Sequence, residues 1–413
     1  MDTNSDLSNK PSVEELVEKY ANGEIKAYEI EKHVNPNKAA EIRLKGLEKK
    51  YNKRFDNLKV YSILPQNCGP NIENMIGAIQ VPLGIAGPVK IKGEYSIGEF
   101  HIPLSTTEGT LVASVNRGCS VINKSGGAKV VILKSGQTRS VLFKSKSVIE
   151  SKKFVDWVKE NIDLLKKEAK AEERFIEIDD IETFILGTTV WLRLIANTND
   201  AMGMNMVTIA GKRIGDYISE NYSDIEFVSE SGNMCIDKKP SALTMIKGRG
   251  KKVSAEVMIP NKVIEKYLKT TAEKLIDLNY RKNMLGSAMS GSLGYNAHFA
   301  NIVAAMFLAT GQDMAHTVDG SIGFTTIEKV DDGVLFGVTI SSLQVGTVGG
   351  GTGVATQKEC LDLLGVAGPG EPTGDNSKKL AEIVATAVLA GEISLLGAQA
   401  AKHLTRAHLK HNR

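Results

Sequence analysis

A short run of charged residues beside an apolar position is the first feature that could do chemistry. Asp237, Lys238 and Lys239 stand in a row between Ile236 and Pro240. A lysine that is held near carboxylates can stabilise negative charge that develops on a carbonyl oxygen. A solvated charged loop would account for the same residues, so the run by itself leaves both interpretations open.

Two glycine-containing segments could hold a phosphorylated ligand. GTVGGGTG, residues 346–353, precedes a helical pattern and could bind phosphate through backbone N–H groups. It has neither the glycine spacing of the dinucleotide fingerprint nor the Lys-Ser/Thr pair of a P-loop. DAMGMNM, residues 200–206, has methionine at alternate positions, which is also typical of a turn in a core. A tight structural turn stays the alternative for each segment.

Acidic and imidazole side chains supply the remaining candidates. Glu108 precedes a glycine and an apolar stretch, so it is either an acid near a helix N-terminus or a catalytic group. His403, His408 and His411 lie close together near Arg413, but no Cys, Asp or Glu is near enough in sequence to complete a metal site. We therefore predict no bound metal and interpret these histidines as cations at a helix end.

The composition limits the classes of protein to which the chain can belong. Its 413 residues predict two or three domains. The 51 Lys and Arg residues exceed the 48 Asp and Glu residues by three, and so small a positive net charge does not imply a nucleic-acid partner. The four cysteines are far apart, as in a reduced cytosolic protein. The acidic start lacks the features of a signal peptide, and no stretch of about 18 residues is free of charges and glycine. We expect a soluble, cytoplasmic protein with no membrane span.

Hydrophobic periodicity predicts the elements that must position these residues. Residues 12–50 begin with a capping box and predict helices, and residues 73–139 alternate β-branched runs with glycine and proline turns. Residues 151–172 predict one amphipathic helix, followed by two strands. This unit, 141–229, would be inserted in a larger domain whose last helices are rich in alanine and tightly buried. The pattern as a whole predicts an α+β fold.

Seven segments, taken in order, resemble the 3-hydroxy-3-methylglutaryl-coenzyme A reductase family. They span residues 73–413 and are ENMIGAIQVPLGIAGP, TTEGTLVASVNRGC, DAMGMNM, DKKPSALTMIKGRGK, GSLGYNAHFANIVAAMFLATGQD, GTVGGGTG and AGEISLLGAQAAKHLTRAHLKHNR. Their amino-acid sequences are similar to those of class I of the family, in its soluble archaeal form.

The resemblance implies a fold and an assembly. Residues 1–70 would form a helical N-terminal segment, and residues 71–140 with 230–413 a large domain around a central helix. Residues 141–229 would form a small ferredoxin-like domain that binds the dinucleotide without a Rossmann motif. Members of the family build the active site across a subunit interface, which implies a homodimer or a dimer of dimers.

The implied activity is the NADPH-dependent, four-electron reduction of (S)-3-hydroxy-3-methylglutaryl-CoA (HMG-CoA) to (R)-mevalonate and CoA, in isoprenoid biosynthesis. By resemblance, Lys238 is the cation at the carbonyl oxygen and Glu108 gives a proton to the aldehyde oxygen. Asp313 would join these two in a buried network, and His408 would protonate the departing thiolate. A carboxyl group that is crowded by others or desolvated can stay protonated near neutral pH, which suits Glu108 as the acid.

The resemblance also implies binding residues. Those for the substrate are Ser231, Lys239, Asn301 and Arg139 at its carboxylate or carbonyl groups, and Asn116 and Arg117 at coenzyme A. Those for the dinucleotide are Asp200, Met202, Gly203, Met204, Asn205, Gly349, Gly350, Gly351, Asn412 and Arg413. A guanidinium pairs bidentately with a phosphate, so Arg413 favours NADPH over NADH.

Three alternatives stay open at this stage. They are NAD-linked oxidation of mevalonate by the same fold, a non-catalytic protein that binds an acyl-CoA or a nucleotide, and a metal-dependent hydrolase built on the C-terminal histidines. The presence of all four implied catalytic residues in their motifs argues against the second alternative.

Overall fold

The structure is a computed structural model that describes residues 11–402, apart from positions 172 and 174. The chain divides into two units. The first contains the described part of residues 1–82 together with 353–356, and the second contains residues 83–352 with the described part of 357–413. The described residues of the predicted site all belong to the second unit.

The first unit is helical. Its helices are α1 (Val13–Asn22), α2 (Pro36–Tyr51) and α3 (Pro65–Cys68), with a 3₁₀ turn at Ala27–Lys32. Ser12 and Glu15 form the capping box that the sequence predicts, because each side chain accepts the backbone N–H of the other residue. The buried residues of this unit include Leu16, Ile30, Ala39 and Ile42.

The second unit combines helices with a mixed sheet. Its strands are β1 (Leu83–Lys92), β2 (Ile97–Ser105), β3 (Ala128–Ser145), β4 (Glu177–Leu186), β5 (Thr189–Asn197), β6 (Ile225–Ser229), β7 (Gly250–Pro260), β8 (Gly294–Tyr295), β9 (Gly323–Val330) and β10 (Gly333–Leu343). The helices after β2 are α4 (Leu111–Lys124), α5 (Val148–Glu160), α6 (Ile162–Ala169), α7 (Met204–Asn221), α8 (Ala242–Lys247), α9 (Asn261–Val263), α10 (Ala272–Leu278), α11 (Ser287–Ser290), α12 (Phe299–Thr310), α13 (Thr317–Gly320), α14 (Ala355–Leu363) and α15 (Asp375–Ala400). The α+β class that the sequence predicts is confirmed.

One long strand, β3, belongs to two sheets. Its first half lies in a sheet of order β2-β1-β3-β7-β10-β9-β8, and its second half lies in a sheet of order β6-β3-β5-β4. The exchange of partners occurs between Gly136, which pairs with Gly250, and Gln137, which pairs with Ala196. The pairings of the second sheet are antiparallel, with α5 and α6 between β3 and β4 and α7 between β5 and β6. The two sheets therefore share one continuous backbone.

The second sheet has a core of its own, whose buried residues come from positions 141–225. Two helices, α5 and α6, occupy most of the stretch 151–172, so the prediction of one continuous helix there is wrong. The Asn161 side chain between them donates to the carbonyl oxygen of Trp157 at 2.8 Å. A local hydrogen bond of this kind competes with continuation of the helix.

The long helix α15 is the centre of the other core. It contacts α4, α12, β7 and β10, and it is buried on every side, as its alanine-rich sequence predicts. It crosses α4 at Gly118, where a Cβ would overlap the carbonyl oxygen of Ala390, so only glycine fits this position. The helix is long and apolar enough to span a membrane, but 94% of its apolar window is buried inside the protein, as in a core helix.

Candidate active site

Lys238 and Asp313 form an ion pair that is open to solvent. The Lys238 Nζ atom lies 2.8 Å from the Asp313 Oδ2 atom, and the two side chains are 40% and 34% exposed. Asp313 also caps the 3₁₀ turn Met314–His316, because its Oδ1 atom accepts the Ala315 N–H at 3.0 Å. Burial by itself raises the pKa of Asp313, but the hydrogen bonds from Lys238 and Ala315 lower it below its ordinary value. A fixed cation is thus held where a ligand can reach it.

The loop that carries Lys238 has an unusual backbone conformation. Asn233, Ile236 and Lys238 have positive φ angles of 64°, 59° and 57°. Such angles are uncommon for residues with a side chain, above all for a β-branched residue such as Ile236. Hydrogen bonds from β3 and β5 hold this loop at Gly232 and Cys235. Strain that the surrounding structure maintains in this way is typical of functional sites.

Asp237, which precedes Lys238, is the centre of a charge cluster beneath the loop. Its Oδ1 atom accepts a hydrogen bond from Arg249 at 3.1 Å, and its Oδ2 atom lies 3.9 Å from a guanidinium nitrogen of Arg139. Arg249 is buried, and another of its nitrogens donates to the Asp319 Oδ2 atom at 2.9 Å. The two arginines therefore compensate the carboxylates of Asp237 and Asp319 and hold the loop at Asp237.

His316 lies between the carboxylates of this cluster. Its Nδ1 atom is 3.1 Å from the Asp319 Oδ2 atom, and its Nε2 atom faces the Asp237 Oδ1 atom at 3.6 Å and the Asp313 Oδ2 atom at 3.8 Å. The ring is fully buried, and Nε2 has no hydrogen-bond partner among the residues that the structure describes. The term lysine half-site is used below for Arg139, Asp237, Lys238, Arg249, Asp313, His316 and Asp319.

Three members of this half-site were missed by the sequence analysis, namely His316, Asp319 and Arg249. The spacing Asp313-x-x-His316-x-x-Asp319 was the signal that could have indicated two of them, because residues three apart lie on one side of a 3₁₀ or helical turn. Arg249 stands in the segment DKKPSALTMIKGRGK, directly before β7, and its contact with Asp319 joins it to a part of the chain 70 residues away.

Other residues predicted to contact the substrate lie around the same loop. Lys239 is exposed, and its Nζ atom donates to the carbonyl oxygen of Asp237 at 3.1 Å. Ser231 is exposed at the start of the loop, and its N–H donates to the Ser229 Oγ atom at 3.0 Å. Arg139 belongs to β3 beneath the loop. The structure therefore places Lys239 and Arg139 beside Asp237, and Ser231 in the loop that leads to it.

A second group of predicted residues surrounds Glu108. The Glu108 side chain is exposed, and its Oε2 atom accepts a hydrogen bond from the Asn301 amide at 2.6 Å. Asn116 and Glu108 line a cleft of about 440 Å³. The Arg117 Nε atom donates to the Ser394 Oγ atom at 3.0 Å, so this guanidinium is anchored on α15. The term glutamate half-site is used below for Glu108, Asn116, Arg117 and Asn301.

The two half-sites lie toward opposite ends of α12. Asn301 is in the first turn of this helix, whereas Asp313 follows its last residue, Thr310. At about 1.5 Å per residue, positions 301 and 310 are separated by about 13.5 Å along the axis. The expectation that Asp313 joins Glu108 to Lys238 in one buried network is therefore not met within a single chain. No hydrogen bond or ion pair in the described part of the chain connects Glu108 with either residue.

A cavity of about 650 Å³ lies beside the glutamate half-site, and its lining includes Pro240, His298, Asn301 and Val318. Pro240 belongs to the loop that carries Lys238, and Asn301 holds Glu108. The cavity is therefore open to a ligand beside Asn301, but no residue of the lysine half-site lines it.

The structure brings the two glycine-containing segments together. Ala201 of DAMGMNM and Val348 of GTVGGGTG form a parallel β-bridge. Gly346 passes so close to the backbone nitrogen of Met202 that a Cβ at this position would overlap it. The Met202 carbonyl oxygen in turn accepts a hydrogen bond from Gln137 of β3 at 2.8 Å. Residues 200–206 and 346–351 thus form one surface.

Helix α7 begins in this surface. Gly203, with a φ angle of 84°, precedes Met204, and no side chain caps the helix. The first N–H groups of an uncapped helix are open to an anion, which the helix dipole also favours. Asn205 is exposed in the first turn, whereas the Met204 sulfur accepts a hydrogen bond from Arg249 at 3.1 Å. Of the two, Asn205 faces solvent and Met204 contacts the lysine half-site.

The glycine-rich segment 346–353 extends from the surface formed with residues 200–206 to the lysine half-site. Gly349 and Gly350 have φ angles of 80° and 55°, and a Cβ on either would meet no atom within 4 Å. A Cβ on Gly351 would lie 2.5 Å from the carbonyl oxygen of Gly311, two residues before Asp313. The loop therefore packs directly against the turn that leads to Asp313.

Asp200 has a structural role in the described fold. Its carboxylate accepts the backbone N–H groups of Gly370, Gly374 and Ser377 at 2.6 to 2.9 Å, and its side chain is buried. These contacts hold the N-terminus of α15, where the helix dipole favours an anion. The prediction that the Asp200 side chain contacts a dinucleotide therefore does not agree with its burial.

The remaining predicted residues, His408, Asn412 and Arg413, lie outside the described residues, as do His403 and His411. Their implied roles stay predictions. Within the described ranges, no group of three or more His, Cys, Asp or Glu side chains has an arrangement that could hold a metal ion.

Comparison with known proteins adds an independent result. A sequence profile of the hydroxymethylglutaryl-coenzyme A reductase family matches residues 39–413. The chain is 52% identical to the 3-hydroxy-3-methylglutaryl-coenzyme A reductase of Pyrococcus horikoshii over 402 residues, which cover 96% of this chain and 97% of that protein. It is 51% identical to that of Methanocaldococcus jannaschii over 401 residues, which cover 95% and 98%. A class II 3-hydroxy-3-methylglutaryl-CoA reductase from Streptococcus pneumoniae bound to NADPH matches with a TM-score of 0.65 at 17% identity, over 88% of this chain and 84% of that one, which shows a shared fold.

Proposed function

The chain belongs to the hydroxymethylglutaryl-coenzyme A reductase family, whose members are oxidoreductases, and from this premise we propose that it reduces (S)-HMG-CoA to (R)-mevalonate and CoA with two molecules of NADPH. The thioester becomes a thiohemiacetal, which collapses to an aldehyde and a thiolate, and the aldehyde becomes an alcohol. Each step places negative charge on oxygen or sulfur, so the site needs a fixed cation and proton donors. The exposed Lys238–Asp313 pair is the observation that carries the proposal.

Lys238 is the cation at the reacting carbonyl oxygen. Its ammonium group has three donors, and Asp313 occupies one of them at 2.8 Å. The remaining donors can face the oxygen of a bound thioester or aldehyde and stabilise the charge that develops there. The loop that carries Lys238 is anchored on β3 and β5, which limits the reorganisation that this step requires.

Glu108 is the proton donor to the aldehyde oxygen. Asn301 holds one of its carboxyl oxygens at 2.6 Å, which leaves the other oxygen to face the aldehyde oxygen. The adjoining cleft, lined by Glu108 and Asn116, suits the acyl thioester, with Asn116 and Arg117 toward coenzyme A. The role of His408 as the acid for the thiolate rests on the family resemblance alone.

A dinucleotide fits the surface formed by residues 200–206 and 346–351. The uncapped N-terminus of α7 suits a pyrophosphate, and Gly349 and Gly350 leave space for a ligand above the backbone. NADPH supplies the hydrides when it is bound. Met202, Gly203, Asn205 and residues 349–351 would hold it, with Met204 behind them. The preference for NADPH over NADH rests on Arg413.

One complete site would need two chains. The glutamate half-site of one subunit would face the lysine half-site of the other, since α12 separates the two within a single chain. A two-fold dimer would then contain two equivalent sites, because symmetry repeats each contact.

Two further features support the proposal that the chain is a reductase of this family. The strand order β6-β3-β5-β4, with helices after β3 and β5, is the βαββαβ arrangement of a ferredoxin-like domain, which we assign to residues 141–229. The four cysteines are all free and buried, which suits the reducing cytoplasm in which we expect the enzyme to act.

The test is a count of products from the purified protein. We expect HMG-CoA to support NADPH oxidation, with two NADPH consumed for each mevalonate formed. Faster turnover with NADH would contradict the cofactor assignment, and faster oxidation of mevalonate with NAD would reverse the proposed direction. Binding of the acyl-CoA without turnover would indicate a non-catalytic protein. Loss of activity in excess chelator would favour a metal-dependent enzyme.

A further inference from the structure

We propose that His316 is a positioning residue of the lysine half-site and that its buried ring carries a proton on both nitrogens when the site is ready for reaction. The inference rests on the proposed function and assigns a role to a residue that no motif or comparison singles out. Because the ring is fully buried, it acts through the carboxylates of Asp237 and Asp313 and does not touch the substrate.

The first ring nitrogen must carry a proton because of its partner. Nδ1 lies 3.1 Å from the Asp319 Oδ2 atom, and Arg249 donates to the same oxygen at 2.9 Å. A carboxylate that is paired with a guanidinium only accepts hydrogen bonds. Nδ1 is therefore the donor in its contact with Asp319.

The second ring nitrogen faces two carboxylates. Nε2 is directed at the Asp237 Oδ1 atom at 3.6 Å and the Asp313 Oδ2 atom at 3.8 Å, and it has no hydrogen-bond partner in the described part of the chain. A lone pair in this position would be repelled by both carboxylates, whereas an N–H is attracted to both. Both distances are slightly longer than a hydrogen bond, so small movements of the two carboxylates would complete the contact.

The charges around the ring agree with a cationic histidine. The groups that face it or its carboxylate partners are the anions of Asp237, Asp313 and Asp319 and the cations of Arg139, Lys238 and Arg249. The carboxylate of the proposed substrate would add a fourth anion against these three cations. A protonated His316 would be the fourth cation, so that the four negative charges and the four positive charges are equal in number.

The consequence concerns the position of Lys238. Asp237 is joined to Lys238 by a peptide bond, and Asp313 pairs with its ammonium group. A cation between these two carboxylates keeps them from repelling each other and fixes Lys238 with one donor on Asp313. Without that cation, we expect the ammonium group to be drawn toward both carboxylates and away from the reacting oxygen, which lowers kcat.

Two variants separate this role from a structural one. The amide of His316→Asn can take the place of Nδ1 and keep the contact with Asp319, whereas the amide of His316→Gln can take the place of Nε2 and donate toward Asp237 and Asp313. We expect the Asn variant to lose about 10- to 100-fold in kcat, as is typical when a supporting residue is removed, and the Gln variant to keep about tenfold more. Both should keep the KM for NADPH and the thermal midpoint of unfolding.

The outcome that would overturn the proposal is an Asn variant whose kcat equals or exceeds that of the Gln variant, since that would make the Asp319 contact the important one. Nitrogen NMR of the wild-type protein labelled at histidine gives a second measurement, with the His316 signals assigned by their loss in His316→Gln. Similar shifts for the two ring nitrogens are expected for the cation, and one strongly shifted, unprotonated nitrogen would refute it. This measurement decides about His316 even if the protein does not reduce HMG-CoA.

Discussion

At the scale of single residues, the candidate site depends on charged groups that are each held by a neighbour. Asp313 holds Lys238 at 2.8 Å, and Asn301 holds Glu108 at 2.6 Å. A side chain that is fixed in this way loses less conformational entropy when it meets its ligand. The two contacts therefore explain how exposed groups can still act with a defined geometry.

Lys238→Ala should remove most of the reductase activity. The loss of one donor to a developing oxyanion costs about 3 to 4 kcal/mol of transition-state stabilisation, which corresponds to about 10²- to 10³-fold in kcat. The measurement is steady-state NADPH oxidation with HMG-CoA. Lys159→Ala, on the exposed face of α5, is the matched control and should leave kcat unchanged. Near-normal turnover of Lys238→Ala would show that this lysine is not the oxyanion donor.

Asp313→Asn should change the dependence of stability on pH. The pKa of Asp313 is lowered in the folded state, so its ionisation stabilises the fold at pH values above the unfolded value of about 3.9. That contribution is lost as the pH falls through the lower, folded value. The difference in the free energy of unfolding between wild type and Asp313→Asn should therefore shrink below about pH 4. Chemical denaturation from pH 3 to 7 measures it, and a difference that grows toward acid pH would contradict the pairing with Lys238.

The sequence singled out candidate residues of the site but not the contacts between them. Lys238 and Glu108 stood out because their motifs join charged residues to glycine and apolar segments. His316 and Arg249 did not, because the contacts of His316 with Asp237 and of Arg249 with Asp319 join parts of the chain that only the fold brings together. The network expected around Asp313 failed for the same reason, since the length of α12 between Asn301 and Asp313 is a property of the folded helix.

At the scale of helices and strands, caps and turns could be predicted from the sequence, whereas the break within a helix could not. The capping box of α1 and the turn at Gly187 between β4 and β5 are visible in the sequence, because each depends on neighbouring residues. The break at Asn161 was missed because the helical periodicity continues across it with little change of phase. A single residue can therefore end a helix without altering the hydrophobic pattern.

Gly118→Ala should destabilise the second unit through the crossing of α4 and α15. The added Cβ would overlap the carbonyl oxygen of Ala390, so the two helices would have to separate. Overpacking of this kind costs about 1 to 3 kcal/mol. Thermal or urea unfolding measures the change, and Ser120→Ala, exposed on the same helix, is the control. Equal stability of the two variants would show that the helices can move apart freely.

At the scale of the whole molecule, the two half-sites predict complementation between inactive variants. Glu108→Gln and Lys238→Ala should each be inactive alone. In a mixed dimer, one site would combine both substitutions and the other would combine neither. Random pairing of equal amounts makes half of the dimers mixed, so we expect about one quarter of the wild-type activity in the mixture and about half in the purified mixed dimer.

Co-expression of the two variants with different tags, followed by purification on both, isolates the mixed dimer. The same procedure applied to Glu108→Gln with itself is the control and should show no recovery. Absence of activity in the mixed dimer would mean that Glu108 and Lys238 act within one chain.

The strand β3 has a consequence for how the second unit unfolds. Since β3 runs from one sheet into the other with no intervening loop, the pairing of Gln137 with Ala196 lies next to the pairing of Gly136 with Gly250. Melting of the smaller sheet would fray the strand at the point where the larger sheet begins. The two sheets should therefore lose their structure together, in one cooperative transition, and should not behave as two bodies joined by a hinge.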